Sequence, residues 1–84
     1  VPRPCGAMTV AFGSLWVANC KGGNLYRIDV KTANVQAIIP TGIANPKGET
    51  NVVAGAGSIW GPSDGAGKIA KIDPATNAVA ASVN

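Results

Sequence analysis

Short runs of apolar and β-branched residues recur along the chain, each broken by Gly, Asn, Asp or Pro. The first four runs cover positions 8–12, 15–19, 25–29 and 35–39; a second four cover 51–56, 59–61, 68–73 and 78–83. Runs of this size between turn residues predict β-strands, and two sets of four at spacings of about eight to twelve residues predict an all-β sandwich or propeller. Gly13-Ser14 predicts a tight hairpin turn between the first two strands, because Gly accepts the positive φ of a two-residue loop. Pro62 after Gly61 weakens the second strand of the second set, since proline belongs at an edge or bulge. Ser14-Leu15-Trp16-Val17-Ala18 and Ala78-Val79-Ala80-Ala81 lack clean alternation. Sheets built from such strands need cover on both faces.

The two sets are copies of one another. Gly13-Ser14-Leu15-Trp16 returns as Gly57-Ser58-Ile59-Trp60, and Arg27-Ile28-Asp29 returns as Lys71-Ile72-Asp73, at a constant offset of 44 positions without a gap. A strand-rich repeat of this period predicts propeller blades: a first blade over 1–44 and a second over 45–84. Asp29 and Asp73 fit the turn after each third strand, their carboxylates accepting from backbone N–H groups a few residues on. Thr32 and Thr76 support the same turns, and Pro74 presets φ for a type I turn. A catalytic role for either Asp is the alternative. Trp16 and Trp60, at one place in both copies, read as packing between blades; the competing role is a ligand platform.

On residues 13–17 with their partial echo at 57–60, on Leu25-Tyr26-Arg27-Ile28-Asp29-x-x-Thr32, and on residues 69–77, the chain resembles the YVTN and virginiamycin B lyase-like β-propellers. The resemblance covers nearly the whole chain and implies rings of six to eight blades. Lyase members use a histidine base with a magnesium ion; this chain holds no histidine, so that activity does not carry over. Two blades cannot close a ring, and their open apolar sides call for cover. Cyclic head-to-tail association closes it, three chains giving six blades and four giving eight. The alternative is a fragment whose remaining blades lie elsewhere in a longer chain. Small two-blade sugar-binding proteins form trimers, which favours the trimer.

At 84 residues with a net charge of +3, the chain is one small domain by length. Its seven cations, Arg3, Lys21, Arg27, Lys31, Lys47, Lys68 and Lys71, are dispersed and read as solvated strand ends rather than a nucleic-acid patch. No apolar run reaches the ~18 residues of a membrane span. Val1-Pro2 in place of an initiating Met reads as a processed or excised product.

Cys5 and Cys20 are the only cysteines. Around the predicted turn directly opposed positions sum to about 27, or nearer 25 if a bulge or wider loop intervenes. These two sum to 25, and so face one another across the ends of the first two strands, as a disulfide requires. Closing that loop of about 15 residues contributes roughly 3 kcal/mol and implies a periplasmic or extracellular setting. Free thiols or half a zinc site are the alternatives, the latter without further ligands. The repeat offset carries this pair onto Glu49 and Asp64, two carboxylates at the corresponding rim of the second blade, with Asn51 nearby. Such a pair can recruit Ca²⁺ or Mg²⁺, or be neutralised by Lys47, Lys68 or Arg3 and by solvent. No other cofactor is implied.

Three functions follow. One is a structural or binding module, a blade pair closing into a six- or eight-bladed ring that presents a ligand- or partner-binding face. The second is a two-blade lectin forming a trimer. The third is a fragment of a secreted lyase- or lactonase-like propeller enzyme, although no nucleophile–base pair is present.

Overall fold

The computed structural model describes residues 1–2, 4, 6, 8–42, 52–62 and 69–83. Eight strands follow in chain order: β1 (Thr9–Ala11), β2 (Ser14–Asn19), β3 (Asn24–Asp29), β4 (Val35–Pro40), β5 (Val53–Gly55), β6 (Ser58–Pro62), β7 (Ile69–Asp73) and β8 (Ala78–Val83). They form two four-stranded antiparallel sheets, ordered β1-β2-β3-β4 and β5-β6-β7-β8. There is no helix among the described residues. Sequential antiparallel strands need only hairpin connections, and the turn chemistry of the repeat supplies them. The expected blade boundary at 44/45 lies outside the described residues.

The first hairpin differs by one position from the expected turn. Ala11 pairs with Ser14, Val10 with Leu15 and Thr9 with Trp16, so the loop is Phe12-Gly13 rather than Gly13-Ser14. Phe12 and Gly13 have φ of 55° and 71°, the two left-handed residues of a type I′ turn, whose twist matches the strands it joins. Ala56-Gly57 repeats it at 51° and 76°. This choice releases Ser14 into β2, where its buried hydroxyl donates to Gln36 Oε1 at 2.6 Å. Opposed positions sum to 25, the lower of the two expected values, and since it differs from 27 by two, every side chain keeps its face.

The third turn of each sheet is tied by its aspartate. Asp29 Oδ1 accepts from Lys31 N at 2.8 Å, and Thr32 Oγ1 accepts from Asn34 N at 3.3 Å. The Asp29 carbonyl accepts from Ala33 N, which stands at φ 60°. Asp73 Oδ1 accepts from Ala75 N at 2.9 Å, and its carbonyl from Asn77 N, at φ 54°. A bulge follows in both sheets, between Arg27 and Ile28 and between Lys71 and Ile72. Pro62 does lie in a strand, paired with Ile69. β5 stops pairing at Trp60, so the missing N–H of Pro62 interrupts no ladder on that side.

The sheets stack face to face, β1 beside β5 and β4 beside β8. Trp16, Ala18, Leu25 and Ile39 of the first sheet bury against Val52, Ile59, Ala70 and Ile72 of the second. Strand alternation makes this stack head-to-tail. Subtracting the repeat offset from Ile59, Ala70 and Ile72 gives Leu15, Tyr26 and Ile28, which lie on the other side of the first sheet, opposite its buried face. One face of the repeat thus packs on the reverse face of the next. The reverse face of the first sheet exposes Val10 and Ile38, although Val17 on the same face is buried. The front face of the second exposes Val53, Ile69 and Val83, with no other sheet over it among the described residues.

Candidate functional site

Among the described residues, Arg27 is the most heavily bonded side chain at the inter-sheet seam. It sits mid-strand in β3, opposite Trp16, with its guanidinium carbon 4.6 Å from the Trp16 ring centroid. The indole is fully buried and donates from Nε1 to Ala11 O at 3.0 Å, which fixes the plane on which the guanidinium stacks. Arg27 Nε donates to Ser14 Oγ at 2.8 Å and Nη2 to Phe12 O at 3.2 Å. Nη1 crosses the seam to Pro74 O at 2.5 Å and Asn77 Oδ1 at 2.6 Å. All these acceptors are neutral oxygens. A planar, weakly hydrated cation with a rigid fork of donors suits this half-buried position better than an ammonium does.

The second sheet repeats the indole–cation contact, with no partner sheet above it among the described residues. Lys71 lies opposite Trp60 in β7, its Nζ 5.5 Å from the ring centroid. Trp60 Nε1 donates to Gly55 O at 3.0 Å, as Trp16 does to Ala11 O. Trp16 is covered by the second sheet; Trp60 is half-exposed. Arg27 and Lys71 therefore depart from the expectation of solvated strand-end cations, because each is held over an indole. Sequence reasoning missed them. The available signal was a cation at the same repeat position, two residues before each turn aspartate.

A polar corner occupies the other end of the first sheet. Asn19, buried, donates from Nδ2 to Asn24 Oδ1 at 2.9 Å and accepts from Lys21 N at 3.3 Å. Gly22 crosses so close that a Cβ there would stand 3.0 Å from the side-chain nitrogens of both asparagines. Gly23 O accepts from Thr41 N and Gly42 N, and the buried Thr41 Oγ1 has no hydrogen-bond partner. Neither asparagine was singled out from sequence.

Of the residues expected to form a site, Glu49, Asn51 and Asp64 lie outside the described residues, as does Cys5. Cys20 is disulfide-bonded. Asp29, Thr32, Asp73 and Thr76 stand in the third turns of the two sheets, away from the Asn19 corner. Among the described residues, no group of three or more His, Cys, Asp or Glu side chains could hold a metal ion.

A family model described as a repeat of unknown function, DUF6923, matches residues 4–84. The chain belongs to this family. No curated protein matches it. In this DUF6923 repeat, the matched span takes in both sheets and the seam between them. The Trp–cation pair therefore falls inside the repeated unit, once per sheet. In the first sheet the pair is an indole shelf carrying a cation whose N–H groups reach oxygens of the second sheet.

Proposed function

We propose that the DUF6923 chain is a structural and binding module, a pair of propeller-type blades whose two open faces are covered by further sheets of the same kind. The observation that supports this reading is the head-to-tail stack, in which the front of the first sheet lies on the back of the second. The open back of the first sheet and the open front of the second have the same relation to one another. An operation that stacks a front on a back can be repeated until it closes into a ring. Three chains make a six-bladed ring and four an eight-bladed one, the trimer being favoured. Such a ring presents a rim on which ligands or partners bind. The YVTN and virginiamycin B lyase-like resemblance agrees with this architecture, and the bonded Cys20 agrees with a periplasmic or extracellular setting.

The test is the mass of the chain in solution, read by sedimentation equilibrium from micromolar to millimolar concentration. Association into a defined trimer or tetramer is the expected outcome. A folded, non-associating chain of 8.4 kDa would remove the reading.

A further inference from the structure

We propose that Trp60 and Lys71 are the seat for the β3–β4 turn of a second copy of this chain, with Lys71 Nζ donating to the Val30 carbonyl of that copy. The inference rests on the stacking read above, and names the contact that would hold one chain to the next.

The template lies inside the molecule. Arg27, on Trp16, donates to Pro74 O and Asn77 Oδ1 in the β7–β8 turn. Shifted by the repeat offset, the donor and its shelf become Lys71 and Trp60, and the turn becomes the β3–β4 turn with Val30 and Ala33 in place of Pro74 and Asn77. That turn has the same internal bonds from Asp29, and Ala33 stands at φ 60° against 54° for Asn77. Its shape therefore repeats, and the Val30 carbonyl is presented as the Pro74 carbonyl is. Val30 itself is exposed, as are Ile69 and Val83 on the face that would receive the second copy. The apolar occupant is supplied too: Leu15, Tyr26 and Ile28, half-buried on the back of the first sheet, hold the repeat positions of the Ile59, Ala70 and Ile72 that fill the internal seam.

The two latches are unequal. Arg27 makes two bonds across its seam; at the second seam Ala33 has no side-chain amide oxygen, and an ammonium lacks the planar fork. One backbone carbonyl is what remains. The joint between chains is thus a weakened version of the joint within one, suited to assembly that depends on concentration.

This asymmetry permits a test by gain as well as loss. Sedimentation equilibrium of the full chain is compared with Lys71→Glu, Lys71→Arg, Ala33→Asn and the Lys71→Arg/Ala33→Asn pair, with near-ultraviolet circular dichroism to verify folding. Lys71→Glu is expected to weaken association, and the pair to tighten it roughly tenfold, since a hydrogen bond to a charged group is worth about 1.5 kcal/mol or more. The pair should exceed the combined effect of the single changes, because the new guanidinium and the new amide meet only across two copies. Asn tolerates the left-handed conformation at position 33, so that variant folds. Association that ignores Lys71, with additive single changes, would overturn the latch while leaving head-to-tail stacking intact. Folded variants and wild type that all remain monomeric would overturn both.

Discussion

Arg27 Nη1 donates to Asn77 Oδ1 at 2.6 Å, joining residues separated by 50 positions and belonging to different sheets. Asn77 can meet the guanidinium because its backbone is left-handed, φ 54°, at the point where the β7–β8 turn doubles back. Asparagine adopts that conformation at lower cost than other residues with a Cβ. One side chain thus closes the turn's geometry and supplies the acceptor. The seam contains a directional element that apolar packing alone would lack.

Replacing Arg27 by Ala is expected to cost about 3 kcal/mol of folding stability, since several charge-assisted bonds are lost and their acceptors are left facing the seam. Arg27→Lys should retain part of this, keeping charge over the indole without the fork. Urea unfolding followed by Trp fluorescence gives both values. Equal stability of all three proteins would show that the seam is held by apolar contact alone.

Asn77 separates conformation from bonding. Asn77→Gly keeps the left-handed backbone accessible and loses the acceptor; Asn77→Ala loses both. The alanine variant is therefore expected to be the less stable of the two by about 1 kcal/mol. A reversed order in urea melts would mean that chain entropy outweighs φ strain at this turn.

Phe12 is half-exposed and left-handed at φ 55°, the position where a type I′ turn prefers Asn. Phe12→Asn should stabilise the chain by under about 1 kcal/mol, the backbone strain relieved being partly offset by the burial the half-exposed ring gives up. Gly13→Ala should do the reverse: an added Cβ meets nothing within 4 Å, but φ is +71°. Thermal melts of the two variants, displaced in opposite directions, are the expected result.

Much of the architecture was legible because period and punctuation agree. The constant repeat offset, with Gly, Asp and Thr at matching places, marked eight strands in two sets, and eight strands form two sheets. The hairpin turn was misplaced by one residue because Phe12 and Ala56 are poor formers of left-handed turns. The pattern favours Gly13-Ser14, whereas the burial and bonding of Ser14 favour the observed register. Arg27 was illegible for another reason. Its partners Ser14, Phe12, Pro74 and Asn77 come together only when sheets stack, and no local spacing encodes that. The Asn19–Asn24 pair likewise depends on β2 and β3 being in register.

The two tryptophans give the clearest reading of which face is complete. Trp16 and Trp60 make the same indole bond to the strand before them, at 3.0 Å in each case, so local anchoring is equal and cover is not. Trp16→Phe removes a buried bond and leaves space in the inter-sheet core, which is expected to cost about 2–3 kcal/mol. Trp60→Phe in dilute solution should cost under about 1 kcal/mol, because its outer side already faces water. Acrylamide should quench the emission of Trp60 and spare that of Trp16, with Trp16→Phe and Trp60→Phe assigning the signals. As concentration rises and chains stack, the quenchable fraction should fall, since a second sheet would then lie on Trp60 as the second sheet of the chain lies on Trp16. Quenching of Trp60 that stays constant through association would place the contact between chains somewhere other than this face.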